Sequence, residues 1–175
     1  MQAQLILDEL KKNGVTHAVG LPDNSSAKLF DLLVSDPGIR LISVTREGEA
    51  FAIAAGLWIG GGMPVVLIQN TGFFESGDAF RGTITRMGVP LVCLITYRGY
   101  RKLAADPVAR VLSPSNFTRA PLDSAALVTE PTLKAWGLPY DFLHAAEDVP
   151  RISEAFRKCA EYGHAHAVLI TPDLK

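Results

Sequence analysis

Two carboxylates lead a segment that otherwise has little use for charge. In TREGEAFAIAAGLWIGG, residues 45–61, Glu47 and Glu49 precede a run that is apolar on nearly every side. With a helix beginning near Arg46 and turning about 100° per residue, Glu47 shares a stripe with Ala50, Phe51 and Ala54, and Glu49 with Ala52, Ile53 and Gly56. Two chemistries suit such an acid. One is service at the positive end of the helix dipole, which favours acidic residues in first turns. The other is a carboxyl held in an apolar site with a raised pKa, able to give and take a proton. Periodicity does not separate the two.

Other candidates lie where apolar runs end. Asn70-Thr71-Gly72-Phe73 follows the run Val65–Ile68. Asn70 suits a turn, with its amide bonded to local backbone, or a hydrogen-bonding role toward a ligand. Gly72 allows close approach of the backbone. Phe73 and Phe74 suit a ring contact or the core. Asp23 and Asn24 follow the first apolar strand and stand where either caps the next helix or faces a ligand. Residues 98–119 hold Arg98, Arg101, Lys102, Arg110 and Arg119 against Asp106 alone. They form either a solvated basic loop or a fork for an anionic group. His17, His144, His164 and His166 lack ligand spacing, so no metal held by this chain is expected. Gly60-Gly61-Gly62 follows a helix and precedes a strand, the wrong order for a phosphate loop.

The elements that must position these residues alternate along the chain. Helices are expected at 2–13, 25–35, 46–60, 74–87, 130–137 and 149–162. Strands are expected at 16–21, 39–45, 63–70, 89–97, 138–145 and 166–172, with a long loop over 98–124 that has room for a short helix. Continuous apolar runs such as Val65–Ile68 suit strands covered on both faces. The pattern predicts one α/β domain over 1–175, a doubly wound six-stranded parallel sheet with helices on both faces. In such sheets ligands sit beyond the carboxyl ends of the strands, which gathers 21–24, 45–47, 69–72 and 97–99 on one rim.

Composition excludes several classes. The 175 residues are 48% hydrophobic and 20% charged with net charge −1, so a core is available and no nucleic-acid or other polyanion partner is expected. No run of about 18 apolar residues predicts a membrane span, and the N-terminus lacks the pattern of a signal peptide. Cys93 and Cys159 read as buried thiols in a reducing compartment, so a cytoplasmic location is expected.

Five segments in order, GVTHAVGLPDNSSAKLFDLL, TREGEAFAIAAG, PVVLIQNTG, VPLVCLITYRG and TEPTLKAWGLPY, carry a resemblance. Together they resemble the pyrimidine-binding (Pyr) domain of thiamine-diphosphate-dependent decarboxylases, nearest to the sulfopyruvate and phosphonopyruvate branch. The likeness covers 14–99 well and 129–172 loosely, and 103–124 departs from it. The resemblance picks Glu47 over Glu49 as the acid facing the cofactor's aminopyrimidine, where it favours the imino tautomer that takes the thiazolium proton. It also implies cofactor contacts from Asn70, Thr71, Gly72 and Phe73, and substrate contacts from Asp23, Asn24 and Arg98.

The resemblance further implies half an enzyme. The domain that holds the diphosphate through Mg2+ carries a Gly-Asp-Gly motif with asparagines downstream. This chain offers only Ser76-Gly77-Asp78-Ala79-Phe80, inside an expected helix, which is rejected as that motif. A separate beta subunit is therefore expected to carry it. The chain would be the alpha subunit of a 2-oxo acid decarboxylase, inactive alone, acting on a small anionic 2-oxo acid. The apolar helix beginning at Ala50 also suits self-association within a hetero-oligomer. Two alternatives stand beside this: a carboligating, acetolactate synthase-like subunit, and a non-catalytic nucleotide-binding module.

Overall fold

The computed structural model describes the backbone of residues 1–175 and the side chains of all of them except Pro107 and Ala109. The elements run α1 (Ala3–Lys12), β1 (His17–Gly20), α2 (Ala27–Ser35), β2 (Arg40–Ser43), α3 (Glu47–Ile59), β3 (Pro64–Gln69), α4 (Asn70–Glu75) and a three-residue α5 (Gly77–Ala79). A π-helical turn, Phe80–Thr85, leads to β4 (Val92–Thr96). Then come α6 (Tyr100–Ala104), a 3-10 turn (Pro107–Arg110), α7 (Pro114–Phe117) and α8 (Ser124–Ala135). The chain closes with β5 (Tyr140–Leu143), a 3-10 turn (Ala146–Asp148), α9 (Arg151–Tyr162) and β6 (His166–Ile170).

All six strands are parallel, in the order β2-β1-β3-β4-β6-β5. This is the doubly wound α/β sheet expected from the alternation. Each face has its own core. On one face α3, the π turn and α8 pack with Phe51, Phe73, Ile84 and Leu133 fully buried against Val66, Ile68 and Ile95. On the other, α1, α2 and α9 cover Val65, Leu67, Leu94 and Val168 with Ile6, Leu10, Leu29 and Ile152. The central strands β3, β4 and β6 are therefore apolar on both sides, the physical reason that their sequences read as continuous apolar runs.

Three expectations are corrected. The helix expected at 74–87 begins at Asn70, directly from β3, and breaks into α4, α5 and the π turn. Asn-Thr-Gly reads locally as a turn, but tertiary hydrogen bonds to the Asn70 side chain let the helix start there. The helix expected at 130–137 begins at Ser124, where the Asp123 carboxylate accepts from the Ala125 amide at 3.0 Å. Pro131 lies inside it and forfeits one backbone bond. The loop 98–124, with room for one short helix, holds two, α6 and α7, and a 3-10 turn between them.

Candidate active site at the carboxyl rim of the sheet

Because the strands are parallel, their carboxyl ends share one rim. The loops after β1, β2, β3, β4 and β6 bring Asp23, Glu47, Thr71, Arg98 and Thr171 to it. The first turn of α3 supplies the acid. Three glutamates surround that turn, and two of them are already engaged. Glu49 Oε2 accepts from the Thr45 amide at 3.0 Å, the Thr45 hydroxyl at 3.1 Å and the Arg46 amide at 3.3 Å. It reaches back to cap its own helix, the arrangement of one half of a capping box. These hydrogen bonds, the Thr45 amide foremost, hold its carboxyl below the ordinary range. Glu75, at the end of α4, accepts from the Gly48 amide at 3.0 Å and from Arg46 Nε at 3.0 Å. The Gly48 amide first, and then Arg46, lower its pKa as well.

Glu47 is the exception. Among the described residues no hydrogen-bond or ion-pair partner meets its carboxyl, and the side chain is half-buried. It lies across the backbone of Gly72: a Cβ built there would stand 2.3 Å from Glu47 Cγ and 2.4 Å from Oε1. Any side chain at 72 would occupy the carboxyl's place, so β3–α4 offers the acid a cradle that only glycine leaves open. The first turn of α3 emerges at the rim, where Glu47 is half-buried in this chain alone.

The neighbours sort by what their polar atoms already do. Asn70 is fully buried. Its Nδ2 donates to Arg98 O at 3.2 Å and Thr129 Oγ1 at 2.9 Å, while Oδ1 accepts from the Thr71 amide at 3.1 Å. In this chain both amide hydrogens tie β3 to the strand end at Arg98 and to α8. Thr71, half-buried, donates to Gln69 Oε1 at 2.8 Å. Phe73 is completely buried among Phe51, Phe80 and Trp136, with ring centroids 6.4, 5.5 and 4.7 Å away, so it supports the rim from beneath.

Asp23 accepts from the Ser25 amide at 2.7 Å, the Ser26 hydroxyl at 2.7 Å and the Thr96 hydroxyl at 2.8 Å. Its carboxylate clasps β1's loop to β4, and the adjacent Asn24 is the exposed member of the pair. Arg98 is exposed and bonds Asp123 through Nε at 2.8 Å. The basic segment is also less unopposed than its composition implied, since Arg119 pairs with Asp106 at 2.7 Å. Sequence reasoning missed the role of Glu75, because its spacing of 29 residues from Arg46 carries no local signal.

Six parallel strands in one open sheet make this an α/β domain of the class in which ligands sit beyond the strand ends. Residues 2–114 match the family described as thiamine pyrophosphate enzyme, N-terminal TPP binding domain, and the chain belongs to that family. It is 37% identical to a phosphonopyruvate decarboxylase of Streptomyces viridochromogenes over 49% of this chain and 22% of the relative. It is 29% identical to a sulfopyruvate decarboxylase subunit alpha of Methanothermobacter thermautotrophicus, over 51% of this chain and 54% of that one. A sulfopyruvate decarboxylase of Methanosarcina acetivorans is 27% identical over 95% of this chain and 39% of its own length. The chain thus spans between about a fifth and about half of these relatives. In fold it is similar to benzoylformate decarboxylase from Polynucleobacter necessarius, with a TM-score of 0.70 and 20% identity over 98% of this chain and 30% of that one.

Proposed function

We propose that this chain is the pyrimidine-side subunit of a two-subunit, thiamine-diphosphate-dependent decarboxylase of a small anionic 2-oxo acid. The observation that carries the reading is the Glu47 carboxyl, half-buried on Gly72 and free of any partner among the described residues of its own chain. The donor set fits a heteroaromatic ring nitrogen: one acid, a bare glycine backbone, and an aromatic floor below. Bound thiamine diphosphate supplies the electron sink that lets a 2-oxo acid lose CO2.

The chain's own residues hold the proton, place it and keep its surroundings clear. Glu47 holds and exchanges one proton with the cofactor ring. Glu49, Glu75 and Arg46 fix the first turn of α3, so that the acid is presented at one place. Gly72 keeps that place clear, and the polar tie of Asn70 fixes Gly72 in turn. Thr71 and Gly72 line the cofactor's side of the rim, with Asn24 and Arg98 toward the substrate. The open outer side of Glu47 is where a beta subunit, carrying the Gly-Asp-Gly motif and Mg2+, would cover it and exclude water. The relatives named as alpha subunits support that division of labour, as does the apolar outer face of α3, where Trp58 and Ile59 are exposed.

The test is reconstitution with the candidate partner. The chain alone is expected to release no CO2, and the mixture to do so with 2-oxo acid, thiamine diphosphate and Mg2+. Glu47→Gln in the mixture should slow exchange of the cofactor's C2 proton by about 10²–10⁴-fold. Undiminished exchange removes Glu47 from the mechanism. Acetolactate or acetoin as the main product would establish the carboligating alternative.

A further inference from the structure

We infer that residues 108–117 form a docking knuckle for the beta subunit, an apolar contact edged by positive charge that meets an apolar, acid-edged surface on that partner. As a statement about which protein docks, this rests on the two-subunit decarboxylase reading. Val108, Val111, Leu112 and Phe117 are 71, 62, 49 and 46% exposed. Soluble surfaces scatter such side chains singly, and a cluster of them marks a contact with something else. Residues 103–124 also depart from the family resemblance, so the knuckle is a feature of this chain and not of the shared cofactor chemistry.

One buried side chain holds the cluster together. Asn116 Nδ2 donates to Val111 O at 2.8 Å and to Val108 O at 3.3 Å, and its backbone amide donates to Ser113 Oγ at 3.3 Å. The 3-10 turn is thereby tied to α7, which ends at Phe117. Arg119 and Asp106 pair at 2.7 Å and close the segment across its base. The amide of Asn116 is turned inward and the four apolar side chains outward. That is the reverse of what removal from water favours, so the segment gains from a surface laid over it.

Charge gives the chemistry of that surface. Arg110 on the knuckle and Lys134 on α8 line one hollow together with Glu130. Glu130 accepts from the Tyr140 hydroxyl at 2.8 Å, and among the described residues neither cation has an ion-pair partner. A second copy of this chain would bring the same two cations to the contact, where like charges repel. An anionic membrane is held by clusters of about four to eight basic residues, and two do not form one. A protein surface with acids around an apolar centre fits both features. The knuckle packs on α8, on the sheet face that also carries α3. A subunit that covers the outer side of Glu47 and continues across that face meets it.

The experiment measures, by calorimetry, the affinity of the full chain for the subunit that carries the Gly-Asp-Gly motif. Val111→Ser/Phe117→Ser alters two largely exposed side chains, so its melt should match the wild type while its affinity falls at least about tenfold. Arg110→Glu should weaken binding at least about threefold, and Arg110→Lys should keep it. Val34→Ser is the control, because that side chain is 73% exposed on α2, across the sheet, and its loss should change nothing. Knuckle variants that bind as tightly as the wild type, in a pair that turns over 2-oxo acid, overturn the inference alone. So does a knuckle whose loss abolishes self-association of this chain, or binding to phosphatidylserine vesicles, and leaves the affinity for the subunit intact. A pair that associates through the knuckle but turns over no 2-oxo acid leaves the docking surface standing and defeats the decarboxylase reading. A wild-type pair that does not associate defeats both.

Discussion

Gly72→Ala addresses the one close approach on which the candidate site depends. Gly72 is absent from the glycines with positive φ, so an alanine suits its backbone, and a helical position favours alanine by roughly 0.5–1 kcal/mol. The obstacle is Glu47. The new methyl would stand 2.3 Å from Cγ, 2.5 Å from Cδ and 2.4 Å from Oε1, against an ordinary contact of at least 3.4 Å. The carboxyl must retreat by about 1 Å, a displacement that at a reacting centre costs on the order of 10²-fold in rate. Among the described residues Glu47 has no hydrogen bonds to lose by moving, so the fold should tolerate the change. The expected result is therefore a melting temperature close to that of the wild type, with C2-proton exchange in the reconstituted enzyme down about 10²-fold. A folded Gly72→Ala protein with undiminished exchange would show that the place of Glu47 is not what matters. A collapsed fold would show that the methyl met something less movable than a side chain.

Other perturbations separate structure from chemistry at neighbouring positions. Asn70→Ala leaves the Arg98 carbonyl without its amide donor and removes a donor from Thr129 in a fully buried place, so stability should drop by about 2 kcal/mol in a denaturant titration. Glu49→Ala removes the cap on the Thr45 and Arg46 amides. It should lower the melting temperature while C2-proton exchange in the reconstituted mixture persists, the reverse of Glu47→Gln. At the far end of the sheet, buried His166 bonds Asp141 Oδ2 at 2.8 Å, and Lys158 of α9 shares that oxygen at 2.6 Å. Burial lowers the pKa of His166 against the opposing pull of Asp141, with Lys158 and His164 adding to the lowering. Lys158 already supplies Asp141 with positive charge, so the imidazole can stay neutral. Below 6.5 the unfolded chain then binds more protons than the folded one, and stability falls as pH falls through that window. Thermal melts should show the loss in the wild type, and His166→Gln should remove it. A separate loss belongs to Asp141, whose burial is outweighed by its bonds from Lys158 and His166, and it comes only below 3.8.

The alternation of apolar runs with amphipathic stretches determined the fold by itself. A strand covered on both faces must be apolar throughout, as Val65–Ile68 and Val92–Ile95 are, and parallel strands need helical crossovers. That was enough to place Glu47, Thr71 and Arg98 on one rim, because ligand-facing loops follow from strand direction alone. What the sequence left open was which polar group is engaged and which is free, a matter of contacts between residues far apart in the chain. Glu75 reaches Arg46 across 29 positions, and Asn70 reaches Thr129 across 59. Only the tertiary structure showed that Glu49 is consumed by capping while Glu47 is not, that Phe73 belongs to the core, and that the basic segment turns apolar side chains outward. Periodicity records which face of an element is buried. It carries no record of the partner across the gap, and at this rim the partner decides what each side chain is free to do.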